Sequence, residues 1–134
     1  MNPTWMLDTN IVSDAFRNPR GRVAGRLVEL QSGQCCISII ILSELRFGAL
    51  KAKSERIARQ IEGFLELVPA LRFESPADVA YADTRLALES IGRPIGPTDL
   101  FIAAHALALD LTLVTANTSE FSRVPGLRVE NWLD

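Results

Sequence analysis

Short apolar runs alternate with longer stretches of helical periodicity along the whole chain, and this alternation restricts the fold more than any other feature. Thr4–Leu7, "QCCIS", "LRFE", "LTLVT" and "RVEN" read as strands. Residues 9–17 look helical and are stopped by "RNPRG". Residues 22–31 place Val23, Leu27 and Leu30 on one helical face, and Gly33 is expected to end that helix. Ser38 suits the cap of a helix reaching about Lys51. Residues 54–67 carry Ile57, Ile61, Phe64, Leu65 and Val68 on a helical stripe ahead of Pro69. Pro76 opens a helix running to about Ile91, and further helices fall at 98–110 and 118–122. Strands alternating with helices predict an α/β chain whose mainly parallel sheet lies between helical layers. Ligands of such sheets bind beyond the carboxyl ends of the strands. The residues standing just after each strand are therefore the ones to inspect for function.

The chain has 134 residues, 48% of them hydrophobic, which suits one domain spanning residues 1–134. No apolar run is long enough to cross a membrane, and no secretory signal is visible at the start. Cys35 and Cys36 are neighbours on an expected strand and point to opposite faces, so a disulfide between them is not expected. Plain core packing of these thiols fits a reducing, cytoplasmic setting. The net charge of −2 does not advertise nucleic-acid binding, but its distribution is uneven. Residues 1–60 hold nine Lys/Arg against five Asp/Glu, whereas residues 61–134 hold five against eleven. The first half concentrates Arg17, Arg20, Arg22 and Arg26, and then Arg46, Lys51 and Lys53. Such residues serve as solvated helix faces or as a rim that attracts phosphates.

Four oxygen-bearing side chains fall where strands end. Asp8 follows the first strand directly, and Glu44 lies in the helix after the second. Asp99 opens the helix before "LTLVT", and Asn117 stands two residues beyond that strand's end at Thr115. Each has an ordinary alternative: a helix cap or turn for Asp8, a complement to the helix dipole for Asp99, a bridge to a distant arginine for Glu44. The helix "IIILSELRFGAL" is apolar on nearly every face, so it is expected to be buried and Glu44 with it. Three carboxylates converging on one sheet edge would need a cation to stay ionised together. A hard divalent ion such as Mg²⁺ or Mn²⁺, which takes oxygen ligands and keeps several waters, is suited to that role. His105, in "IAAHALAL", reads as a packed or surface helix residue, and the scarcity of His and Cys disfavours a tetrahedral zinc site.

The blocks "MLDTNIVSDAF", "ISIIILSELRFGAL", "IGPTDLFIAAHAL" and "LVTANTSEFSRVPGLRVENW" together resemble the PIN domain, with particular likeness to the VapC-type ribonuclease toxins of bacterial toxin–antitoxin pairs. The match runs from Asp8 to Trp132 and rests on the order and spacing of the blocks. The resemblance implies a three-layer α/β/α fold, an acidic pocket for Mg²⁺ or Mn²⁺, and endonucleolytic cleavage of RNA by a metal-activated water. Asp8, Glu44 and Asp99 match the family's three acidic positions and would hold the metal. The fourth position, often Asp, is here Asn117, which brings no charge and which Glu120 would partly compensate. Thr9 and Thr115 match supporting polar positions. The resemblance also implies a homodimer neutralised by a small antitoxin. Arg17, Arg20 and Arg46 are candidates to hold the RNA backbone.

Other readings fare less well. A haloacid-dehalogenase-like phosphatase wants a second Asp two positions after the first, where Asn10 stands, and a downstream Lys, yet no Lys follows Lys53. A receiver domain fails for similar reasons, and no glycine-rich phosphate loop is present. The non-enzyme alternative is a catalytically weakened PIN-like interaction module, with Asn117 marking decay of the site.

Overall fold

The computed structural model describes residues 2–133. Five strands form one parallel sheet in the order β3-β2-β1-β4-β5, with helices on both faces. The strands are short: β1 (Trp5–Leu7), β2 (Cys35–Ser38), β3 (Ala70–Leu71), β4 (Thr112–Val114) and β5 (Val129–Glu130). The helices are α1 (Thr9–Arg17), α2 (Arg22–Glu29), α3 (Ile39–Lys51), α4 (Glu55–Leu65), α5 (Ala77–Ser90), α6 (Pro97–Ala108) and α7 (Thr118–Phe121). Every element expected from the pattern is present, with ends shifted by a few residues. The third strand begins ahead of "LRFE", and α2 stops at Glu29, leaving Gly33 in the turn before β2 with φ 87°. That left-handed conformation is one glycine adopts without steric cost.

β1 is the pivot of the sheet. The chain moves outward from β1 to β2 and β3, then crosses back to lay β4 against the other side of β1, pairing Met6 with Leu113 and Leu7 with Val114. Strand order therefore reverses between β1 and β4, and at such a point the loops leaving two adjacent strands diverge and open a crevice. Met6, Leu7, Cys36, Ile37, Leu113 and Val114 are wholly buried, as strands covered on both faces require. The far edge is closed by aromatic contacts. Trp132 meets Trp5 edge-on with centroids 5.8 Å apart, and the Arg26 guanidinium sits 4.5 Å from the Trp132 ring centroid. Each such contact contributes about 0.5–1.5 kcal/mol beyond its buried area.

Helix α3 departs from expectation. It is not buried all round: Ile41, Leu42, Leu45 and Ala49 form its inward stripe, while Phe47 is 60% and Leu50 78% exposed. Glu44 shares the exposed side, so it is not desolvated in the way the apolar sequence suggests. The run is apolar on two faces because one packs on the core and the other is left open on the surface.

Cys35 and Cys36 are both buried free thiols, and burial pushes them up to about 11 and about 12. His105 is also buried, with Nδ1 2.8 Å from the hydroxyl of Ser38. Ser38 meanwhile caps α3 by accepting from the Ile40 N–H at 3.1 Å. The histidine thus braces the start of α3 from α6, consistent with the packed role expected of it. Burial lowers its pKa below the ordinary 6.5, against smaller opposing effects of the Arg72 backbone and Glu74. A lowered pKa means that the unfolded chain takes up the proton first, so stability falls as pH drops through 6.5 and below. The melting temperature of the parent relative to His105→Gln should accordingly fall as pH is lowered from neutrality. A difference that stays constant with pH would show that His105 does not titrate as its burial demands.

Candidate active site

The crevice between the heads of β1 and β4 gathers the polar residues. Asp8 ends β1 and caps α1, with its Oδ1 accepting from the Thr9 N–H at 2.8 Å. Its Oδ2 accepts from the Thr115 hydroxyl at 2.8 Å, a buried bond across the strand pair, and more weakly from Asn10 Nδ2 at 3.4 Å. Thr115 Oγ1 in turn accepts from the Asn117 N–H at 3.0 Å, and Asn10 Oδ1 accepts from the Ala116 N–H at 3.0 Å. The exit loops of β1 and β4 are therefore stitched together through side chains, and Asp8 is held in one orientation. Such polar networks are costly to break when buried.

Asp99 reaches the same place from α6. Gly96 precedes the helix and Pro97 takes its first position, where the missing N–H is not needed, so Asp99 lies in the first turn. A helix N-terminus normally stabilises a carboxylate. Here the opposite wins: burial, then the charge of Glu120 and a hydrogen bond with it, then Asp8 and Glu44, push Asp99 up to about 7. Burial also raises Asp8 above the ordinary carboxylate range, although its bonds from Thr115, Thr9 and Asn10 oppose that. Burial acts on Glu120 in the same sense, but hydrogen bonds from the Gly96 N–H, the Asn117 amide and Asp99, with the charge of Arg123, bring it below its ordinary value. The two neighbours are thus pushed in opposite directions, Asp99 up and Glu120 down.

Asp8, Glu44, Asp99 and Asn117 all line one open cleft of about 470 Å³, together with Thr9 and Arg17. Thr115 lies beneath it, bonded to Asp8. Asn117 does not simply replace an acid: its amide donates to Glu120 Oε2, and the Gly96 N–H donates to Glu120 Oε1 at 3.0 Å. Glu120, three residues on, is thereby held at that corner by both bonds. Asn10, Ser13 and Thr98 also line the cleft, beyond the site residues expected from the sequence. Ser13 is one helical turn beyond Thr9, and Thr98 directly precedes Asp99, so spacing alone held the signal for both. Arg46 is elsewhere. It pairs with Glu62 at 2.8 Å and lines a separate cleft between α3 and α4 with Leu50 and Ile61. Arg20 lines a neighbouring cleft at the α1–α2 corner.

The donors are hard oxygens with an excess of negative charge, which is the chemistry of a Mg²⁺ or Mn²⁺ site. Among the described residues no three acidic, histidine or cysteine side chains are grouped closely enough to hold a metal ion between them, and these oxygens border an open cleft. An ion that retains several of its waters needs that room. The donor set and the unbalanced charge fit such an ion.

A PIN domain family profile matches residues 5–127. The tRNA(fMet)-specific endonuclease VapC of Shigella flexneri is 42% identical over 129 residues, covering 96% of this chain and 97% of that protein. Ribonuclease VapC2 of Rickettsia felis is 37% identical over 130 residues, covering 96% and 97%. The crystal structure of DNA-bound VapBC from Salmonella typhimurium matches with a TM-score of 0.90 at 37% identity, covering 97% of this chain and 98% of that one.

The raised pKa of Asp99 gives a direct expectation. In metal-free protein the Asp99 carboxyl, followed by NMR, should titrate near 7, and Glu120→Gln should move its midpoint down towards the ordinary 3.8. A midpoint already near 3.8 in the parent would show that the carboxylates do not crowd one another.

Proposed function

The chain belongs to the PIN domain family, and on that premise we propose that it is an endoribonuclease toxin that hydrolyses RNA phosphodiester bonds at the crevice between β1 and β4. The observation that carries this reading is that Asp8, Glu44 and Asp99 border one open cleft at the heads of β1 and β4, with the charge of Glu120 acting on Asp99 as well. A fold does not place mutually repelling carboxylates together for stability, and perturbed acids in a cleft mark functional sites.

Asp8 and Asp99 would hold a Mg²⁺ or Mn²⁺ ion, with Glu44 at the open side and Glu120 beyond Asp99. Bound there, such an ion supplies Lewis acidity towards a phosphoryl oxygen and makes a water nucleophilic at neutral pH. The chain's own residues do the rest. Thr115 and the Thr9 N–H fix Asp8 so that it does not reorganise during the reaction. Asn117 and the Gly96 N–H fix Glu120 in the same way. Glu120 also hydrogen-bonds to Asp99, so a cation held at Asp99 would feel its charge as well.

The relatives also bear on the partner. The similar solved structures are VapBC toxin–antitoxin complexes, and a cognate antitoxin is proposed for this chain as well. A homodimer is proposed on the family resemblance. The weakened interaction module is disfavoured because Asp8, Glu44 and Asp99 are all retained at one cleft.

Asp8→Asn and Asp99→Asn should each reduce metal-dependent cleavage of RNA by more than about 100-fold while leaving the fold intact, a larger loss than outer contacts usually cause. Unchanged cleavage in either variant would defeat the site. Thr115→Val, which removes only the bond that steadies Asp8, should cost about 10–100-fold. Millimolar Mg²⁺ should raise the melting temperature of the parent by linkage and leave Asp99→Asn less affected. A melting temperature indifferent to the ion would argue against a cation site.

A further inference from the structure

We propose that the α1–α2 corner is a phosphate track, along which Arg17, Arg20 and Arg22 hold the RNA backbone beside the cut. This deepens the ribonuclease reading and rests on it for the identity of the polyanion. The three arginines fall within six residues and are all exposed. Among the described residues none of them takes part in an ion pair, unlike Arg26 on the same helix as Arg22, which pairs with Glu130. They line an open cleft of about 600 Å³ with Asp14, Asn18 and Pro19, and Arg17 also lines the acidic cleft. The two clefts are therefore joined at that side chain.

The corner is a built turn. Asn18 Nδ2 donates to Asp14 Oδ1 at 2.8 Å, and the Asn18 and Gly21 N–H groups donate to the Asp14 and Asn18 carbonyls, each at 2.8 Å. A Cβ at Gly21 would stand 3.1 Å from the Asn18 carbonyl oxygen, so the turn closes around a residue without one. Asp14, the one carboxylate lining this cleft among the described residues, is occupied by Asn18.

Electrostatics set the need. A site with four acids repels a phosphodiester backbone, and a row of free guanidinium groups one step away offsets that repulsion and sets the direction of approach. Guanidinium groups match phosphate oxygens two at a time, which favours a track of arginines over one of lysines. Arg46, spent on Glu62 in another cleft, is outside the track. Arg22 takes its place.

The test uses the full chain carrying Asp99→Asn, so that RNA is bound and not cut, with a fluorescein-labelled single-stranded oligoribonucleotide followed by anisotropy across a salt series. Arg20→Gln with Arg22→Gln should weaken binding several-fold at low salt and flatten the log–log salt dependence by about 0.7 for each phosphate no longer held. Arg46→Gln, which removes one charge outside the track, should leave the slope unchanged. In the active chain the double variant should raise KM for the oligoribonucleotide by a larger factor than it lowers kcat. An unchanged slope in the double variant, or an equal change in Arg46→Gln, would overturn the track. So would normal RNA binding with lost affinity for a Glu/Asp-rich peptide, which would assign the arginines to a protein partner. If the slopes behave as expected but the parent cuts no RNA with Mg²⁺ or Mn²⁺, the track stands and the nuclease reading fails.

Discussion

The pairing of β1 with β4 is the constraint on which the rest depends. It sets Leu7 beside Val114, so the next residue of each strand, Asp8 and Thr115, emerge side by side. Their 2.8 Å bond joins positions 107 apart in sequence. Because β1 and β4 also mark the reversal of strand order, their exit loops diverge and the space over that bond stays open. One hydrogen bond thereby closes the centre of the sheet and leaves the crevice in which Asp99 and Glu120 meet it.

This arrangement works against stability at the site. Asp8 and Asp99 are both raised by burial, and Asp99 is raised further by its acidic neighbours. A cation would offset that repulsion and favour ionised Asp99, so its binding is expected to be coupled to pH through the same residue. The strain resides in side chains whose backbone supports are rigid: the first turns of α1 and α6, and the short α7.

Much of this is legible in the residues. The helix and strand pattern is strong because the central strands are buried on both faces and helices have stops, such as "RNPRG" after α1 or Pro69 after α4. Asp8, Asp99 and Asn117 can be placed because strand ends follow from those runs. Lateral geometry is what escapes. Helical periodicity makes α3 look buried, since a run apolar on two faces gives no sign of which face meets the core, and Glu44 is misjudged with it. Glu120 could be picked out as a neighbour of Asn117, but its bonds to the Asn117 amide and the Gly96 N–H depend on the turn of α7 and on the distant α6. The pairing of Arg46 with Glu62, 16 positions away on the next helix, is likewise beyond local pattern. The free arginines at the α1–α2 corner are visible as a cluster but not as neighbours of the acid site.

The sequestered thiols have a practical side. The chain contains two cysteines, both buried and both poor nucleophiles at neutral pH. Their adjacent positions on β2 direct them to opposite faces of the sheet, so they do not oxidise to one another. To a maleimide the folded surface is silent. A single cysteine introduced on an exposed helix would be the one reactive handle, and a dye or spin label placed there would report distances across the crevice without removal of the native pair.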